Sequence, residues 1–447
     1  MTMDPGFLWG AATAAYQVEG AVSEDGRAPS IWDTFSHTPG KIERGETGDV
    51  ACDHYHRLEE DVDLLADLGV NAYRFSISWP RVIPDGTGAP NIKGLGFYTE
   101  LVDRLVDKGI APVPTLYHWD LPQALEAQGG WRNRETAVAF ARYAALCAES
   151  LGDKVMQWAT LNEPWCSAFV GHWHGRHAPG RRNIEEAFVV AHHLLVAHGW
   201  AVESMRAVRP HGRYGIVLNS LPYRPAPGVD FKAVGAAIET LDEIGTGMFY
   251  GGVMSGEYPK SLLGLSPELA AAIQPNDMTS IAFPLDWLGV NYYSDTLLVP
   301  SDEQGFVYPF VTGVSASLPE NPTEMGWALT PHGLTDFLVM LHDRFPSLPP
   351  LYVTENGAAY DDPATSDGRI CDDRRIDYLS THIDAVAAAS AAGVDLGGYF
   401  VWSLLDNFEW SYGYRMRFGL IHVDFETLKR TKRDSFFWYR DRIAASG

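Results

Sequence analysis

The chain has 447 residues, 46% of them hydrophobic and 20% charged, the balance of a globular protein with a large core. Its net charge of −23 argues against the basic face that a nucleic-acid binder needs, and no run of 18 apolar residues offers a membrane span. Four scattered cysteines without CxxC spacing (Cys52, Cys147, Cys166, Cys371) read as reduced thiols, and residues 1–5 show no basic stretch leading into an apolar one, so a cytoplasmic address is expected.

Apolar strand-like runs alternate with helical patterns along the chain. Residues 7–10 open it as a short strand. Residues 57–68 place Leu58, Val62, Leu65 and Leu68 on one face of a helix that Gly69 closes. A strand over 71–79 stops at Pro80, and a helix over 97–108 leads to a strand over 110–119. Helix 134–150 precedes the strand that ends at Glu163, helix 185–207 precedes strand 214–218, and a helix follows over 232–250. Strand 287–292, helix 332–344, strand 351–354, helix 372–391, strand 399–404 and helix 433–443 complete the series.

Eight strands with helices between them imply a parallel sheet with right-handed crossovers. At this length the pattern favours a closed (β/α)8 barrel, the TIM-barrel architecture, with long loops after the strands. No Ser/Gly run, Pro-rich stretch or charge block reads as a linker, so residues 1–447 are expected to form one domain; 295–330 is the longest insertion.

Such a barrel carries its site on the loops after the C-terminal strand ends. Two of those ends carry a glutamate: Thr160-Leu161-Asn162-Glu163-Pro164, and Val353-Thr354-Glu355-Asn356-Gly357. Two carboxyls from separate strands suit the cleavage of an acetal, one as acid and one as anion. The other ends supply Gln17, Arg74, His118, Trp119, Asn162, Asn291, Tyr293, Trp402, Asp406, Asn407, Glu409 and Trp410. Planar amides and imidazole read hydroxyls, and indole faces cover the C–H side of a pyranose.

These motifs resemble those of glycoside hydrolase family 1, the retaining β-glucosidases, along essentially the whole chain. The run from Phe7 to Gly20 is similar to the family's N-terminal signature, the two glutamate motifs to its acid/base and nucleophile motifs, and Leu405-Asp406-Asn407-Phe408-Glu409-Trp410 adds a fourth match. The resemblance implies that Glu163 is the general acid and then base, and Glu355 the nucleophile, with Arg74 and Tyr293 keeping it ionised. It further implies that Asn162 meets the sugar 2-hydroxyl, that Gln17, His118, Trp119, Glu409 and Trp410 read the others with Asn291 nearby, and that Trp402 and Phe418 form floor and wall. For retention the two carboxyls should stand about 5–5.5 Å apart. Trp165, Trp173, His174 and Trp327 would face the aglycone.

Glu409 points to uncharged sugars, because a carboxylate opposite a 6-phosphate is costly. Neutral β-D-glucosides are therefore expected as substrates, with β-D-fucosides or galactosides beside them. No cofactor is implied, and homo-oligomerisation stays open. Three rivals share the fold: a 6-phospho-β-glucosidase, a transglycosidase, and a sugar-binding protein without catalysis. A metal-dependent hydrolase would need the H-x-H pairs His54/His56 and His172/His174 at strand ends. The first pair precedes a helix and the second lies in the loop after Glu163, so no metal is expected.

Overall fold

The computed structural model describes residues 6–302, 304–365 and 368–446. Eight parallel strands close into a barrel in sequence order: β1 (Leu8–Ala12), β2 (Ala72–Ser76), β3 (Ala111–Tyr117), β4 (Gln157–Asn162), β5 (Arg213–Asn219), β6 (Trp287–Asn291), β7 (Leu351–Asn356) and β8 (Leu396–Trp402), with β8 pairing back onto β1. Every residue of β2, β4, β6 and β7 is buried, as expected where the barrel interior lies on one side and helices on the other. The outer ring comprises α1 (Leu58–Leu68), α2 (Ile92–Asp107), α3 (Glu135–Leu151), α4 (Ile184–Val208), α5 (Phe231–Asp242), α6 (Pro331–Arg344), α7 (Asp373–Ala391) and α8 (Asp434–Ala444).

α1 shows the local logic. Leu58, Val62, Leu65 and Leu68 are buried, Glu59, Glu60 and Asp61 sit in the first turn where the helix dipole favours anions, and Gly69 ends the helix at φ 75°. Several elements differ from the sequence pattern. The strand read over 71–79 ends at Ser76, and Trp79–Val82 is a short helix with Pro80 in its first turn, where a missing N–H costs no helical bond. β8 begins three residues earlier than the pattern suggests. A Cβ on Gly397 would lie 2.3 Å from Tyr352 of β7, so the glycines at 397 and 398 admit that ring and do not mark a turn. α2 starts at Ile92 because Gly94 lets the helix lie against the Arg81 carbonyl, 2.0 Å from where a Cβ would stand. After α5 the coil widens into a π-helical stretch, Glu243–Gly251, carrying three glycines.

Thr296–Pro300 and Val314–Ala316 join Tyr223–Pro225 in a small three-stranded sheet beside the C-terminal mouth of the barrel. Among the described residues no helix is long and apolar enough to cross a membrane.

Candidate active site

Both glutamates sit where strand pairing is irregular. The β4–β5 register shifts between Ala159 and Asn162, and the β6–β7 register shifts between Val353 and Glu355. Such bulges re-aim side chains at barrel rims. Glu163 itself has φ 44°, Trp119 φ 76° and Trp410 φ 51°, left-handed conformations that cost a non-glycine residue energy and that the surrounding contacts must hold. All three line one cavity of about 390 Å³ at the barrel mouth, together with His118, Asn291, Tyr293, Glu355, Trp402, Glu409 and Phe418.

One hydrogen-bonded chain links the two carboxyls. Arg74 Nη1 donates to Glu355 Oε1 at 2.6 Å, and the Tyr293 hydroxyl donates to Glu355 Oε2 at 2.7 Å. Arg74 Nη2 donates to Asn162 Oδ1 at 2.6 Å, while Asn291 Nδ2 donates to the same oxygen at 3.1 Å and to Glu163 Oε1 at 2.7 Å. Thr354 Oγ1 donates to Asn291 Oδ1 at 2.7 Å and so fixes which end of that amide faces Glu163. With Asn162 Oδ1 accepting twice, its Nδ2 must be the donor to His118 Nε2 at 3.0 Å. The proton of neutral His118 therefore sits on Nδ1, which has no partner among the described residues and is free to donate to a hydroxyl.

Charge follows from burial and neighbours. Burial, and then the negative charge of Glu355, pushes Glu163 up to about 7, although hydrogen bonds from Asn291 and Cys166 and the charge of Arg74 pull it down. Burial and the cation at Arg74 hold His118 well below the usual imidazole range, so it is neutral. Glu409 is pushed up to about 8, by burial first and then by Glu355, with the Gln17 hydrogen bond opposing. Gln17 Nε2 reaches Glu409 Oε2 at 3.2 Å, Asn407 Oδ1 at 2.9 Å and the Phe408 carbonyl at 3.0 Å, leaving Gln17 Oε1 as an unused acceptor. One carboxylate is thus ion-paired while another is held near its protonated form, the division of labour an acid and an anion require.

The family model described as Glycosyl hydrolase family 1 matches residues 1–447. The chain belongs to that family. Beta-glucosidase A of Thermotoga maritima is 46% identical over 443 residues, covering 99% of this chain and 98% of that protein. A bifunctional beta-D-glucosidase/beta-D-fucosidase of Bifidobacterium breve is 47% identical over 465 residues, covering 99% of this chain and 98% of that protein. The solved structure of the Thermotoga maritima family 1 β-glucosidase with isofagomine lactam superposes with a TM-score of 0.93 at 45% identity, covering 100% of this chain and 99% of that one.

Against the pattern inferred from the family 1 motifs, most of the candidate residues converge on this cavity, Gln17, Arg74 and Asn162 through their bonds to its walls. Trp165 and Trp327 line it as well, Trp327 with its ring 5.2 Å from that of Tyr293 and 6.2 Å from that of Phe418. Trp173 and His174 do not line it. Trp173 Nε1 at 2.8 Å and His174 Nε2 at 3.0 Å both donate to the Val307 carbonyl, so these two residues anchor the 295–330 insertion. Trp119 spends its indole N–H on the Asn162 carbonyl at 2.9 Å and meets the cavity with its ring. Asp406 and Asn407, at the end of β8, hold their own loop: Asp406 takes a two-point contact from Arg433, and Asn407 bonds Ser403 and the Leu405 carbonyl.

The H-x-H pairs do not converge either. His54 is bonded to Asp61, His56 faces Asp53 and Glu24 at the surface, and His172 faces the Ser167 carbonyl. Sequence reasoning missed Cys166, whose thiol lies 3.1 Å from Glu163 Oε2, and the Thr354 hydroxyl. Thr354 lies inside the Glu355 motif and Cys166 two residues past the Glu163 motif, and their types alone gave no reason to single them out.

Proposed function

We propose that Glu355 is the nucleophile and Glu163 the acid/base of a retaining glycosidase that acts on β-glucosides. Glu355, its charge supported by Arg74 and Tyr293, attacks the anomeric carbon while Glu163 gives its proton to the departing glycosidic oxygen. The product is an aglycone alcohol and a glucosyl ester on Glu355. Esterification removes the negative charge that helps to hold Glu163 up, so Glu163 stays ionised after giving up its proton and is available to take one from the water that hydrolyses the ester. His118 Nδ1 offers a donor, Gln17 Oε1 an acceptor, and the Glu409 carboxyl, held up to about 8, can do either toward the sugar hydroxyls. The observation that carries this reading is the pairing, across one cavity, of an Arg-bound carboxylate with a buried carboxyl held up to about 7.

The sugar is neutral. Glu409 lines the cavity and, among the described residues, its one side-chain partner is the uncharged Gln17, so a 6-phosphate there would be buried against a carboxyl with no cation to balance it. The relative from Bifidobacterium breve extends the expected range to β-D-fucosides, which lack the 6-hydroxyl and carry the opposite configuration at C4. The described cysteines are free thiols, which supports a reducing, cytoplasmic setting.

The test is release of nitrophenol from 4-nitrophenyl β-D-glucoside. Glu355→Ala should abolish it, and added azide or formate should restore turnover with inverted product. Inverted α-azide formed by Glu163→Ala, with β-azide from Glu355→Ala, would exchange the two roles.

A further inference from the structure

Glu163 begins a turn in which the Cys166 backbone N–H donates to the Glu163 carbonyl at 2.9 Å, so the side chains at these two positions share a face. Glu163 Oε1 already accepts the Asn291 amide at 2.7 Å, in an orientation fixed by Thr354. An oxygen that accepts so short an N–H bond is a poor place for a proton, which leaves Oε2. Among the described residues the only side chain hydrogen-bonded to Oε2 is Cys166, with Sγ at 3.1 Å, and Cys166 also lines the cavity.

We propose that Cys166 is a positioning residue for Glu163: its thiol reserves Oε2 as the oxygen that carries and delivers the proton, through a contact weak enough to be given up to the glycosidic oxygen. This rests on Glu163 being the acid/base. A thiol is a weak donor and a weak acceptor, so it can give its hydrogen to Oε2 in the carboxylate and receive from Oε2–H in the acid. The thiol proton is not itself transferred. Burial, and then the charge of Glu163, holds Cys166 well above the usual thiol range, so it remains S–H throughout. The other titratable groups that bear on Glu163 are Glu355 from β7, Arg74 from β2, Glu409 from the loop after β8, Tyr293 after β6 and Tyr250 after α5. None of these hydrogen-bonds Oε2.

Donation to the ionised carboxyl is stronger than acceptance from the neutral one, so the net effect of a donor here is to favour the carboxylate. A serine at 166 donates more strongly; a valine fills the volume and does not donate. On phenyl β-D-glucoside, whose leaving group needs the proton, Cys166→Ser should move the basic limb of kcat/KM down by about half a pH unit, and Cys166→Val should move it up by about as much. On 2,4-dinitrophenyl β-D-glucoside, which leaves without a proton, both variants should keep kcat/KM within about twofold, and that activity also reports a folded site. A basic limb that stays put in both variants, or equal losses on the two substrates at every pH, would reduce Cys166 to packing and overturn the proposal. Glu163→Gln separates the underlying assumption: it should lose far more on the phenyl than on the dinitrophenyl glucoside, and equal losses there would refute the acid/base reading itself.

Discussion

Glu355 depends on two donors of different kinds. Arg74 supplies charge, and its fork also orients Asn162, so removing it would disturb several bonds together. The Tyr293 hydroxyl is a cleaner probe. Tyr293→Phe keeps the ring contacts with Trp327 at 5.2 Å and Phe418 at 6.0 Å and deletes one donor to a charged oxygen. Hydrogen bonds to charged groups contribute about 1.5–3 kcal/mol, so kcat/KM on neutral glucosides should fall roughly 10- to 100-fold with little change in Tm. A loss below about twofold would mean that Arg74 alone sustains the nucleophile.

At the scale of elements, the loop Leu405–Trp410 delivers Glu409 and Trp410 to the cavity, and Asp406 ties that loop to the start of α8. Asp406 receives both Arg433 Nη1 at 2.9 Å and Nη2 at 2.8 Å, plus Arg417 at 2.8 Å and the Gly419 N–H at 3.0 Å, with no exposure. These cations outweigh burial and hold its carboxyl down to about 2. A depressed folded value stabilises the protein above the unfolded pKa near 4, and that stability is lost as pH falls from about 4 through 2, roughly 2 kcal/mol in all. Asp406→Asn should cost about 3–5 kcal/mol at pH 7, because Arg433 is left buried without its partner, and its denaturation midpoint should depend less on pH between 4 and 2. An unchanged acid dependence would count against the assignment. The same loop shows what the sequence could and could not tell. Its motif flagged Asp406, Asn407 and Glu409 alike by position, whereas only contacts across the fold separate the two that hold the loop from the one that faces the cavity. The strand–helix alternation made the barrel legible, since period and punctuation are local. Gly397, Gly398 and Gly94 misled because their reason is a distant ring or carbonyl. Trp173 and His174 follow the Glu163 motif closely, yet they end a π-helical stretch, Cys166–His174, that directs their ring nitrogens to Val307, 133 residues or more away in the chain.

Over the whole molecule, the net charge of −23 surrounds a cavity lined by Glu163, Glu355 and Glu409, of which Glu355 alone is paired with a guanidinium, that of the buried Arg74. Arg176 is the only Lys or Arg among the residues that line the cavity, and it lies exposed. A neutral glucoside feels none of this at long range, whereas a 6-phosphorylated one is disfavoured twice: by the field of the acidic surface on approach, and on docking by burial beside Glu409 with no cation to balance it. The two contributions differ in how salt affects them. The Debye length falls from about 10 Å at 0.1 M to about 3 Å at 1 M, which screens the surface field and leaves a buried contact largely intact. For 4-nitrophenyl β-D-glucoside, kcat/KM should therefore stay within about twofold from low salt to 0.5 M. For its 6-phosphate kcat/KM should be far lower, and the gap between the two should narrow with salt without closing. Glu409→Ser should reduce the part of the gap that survives at high salt and leave the salt-dependent part in place. A gap insensitive to salt in the parent enzyme would remove the surface field from the account, and a gap that vanishes at high salt would remove Glu409.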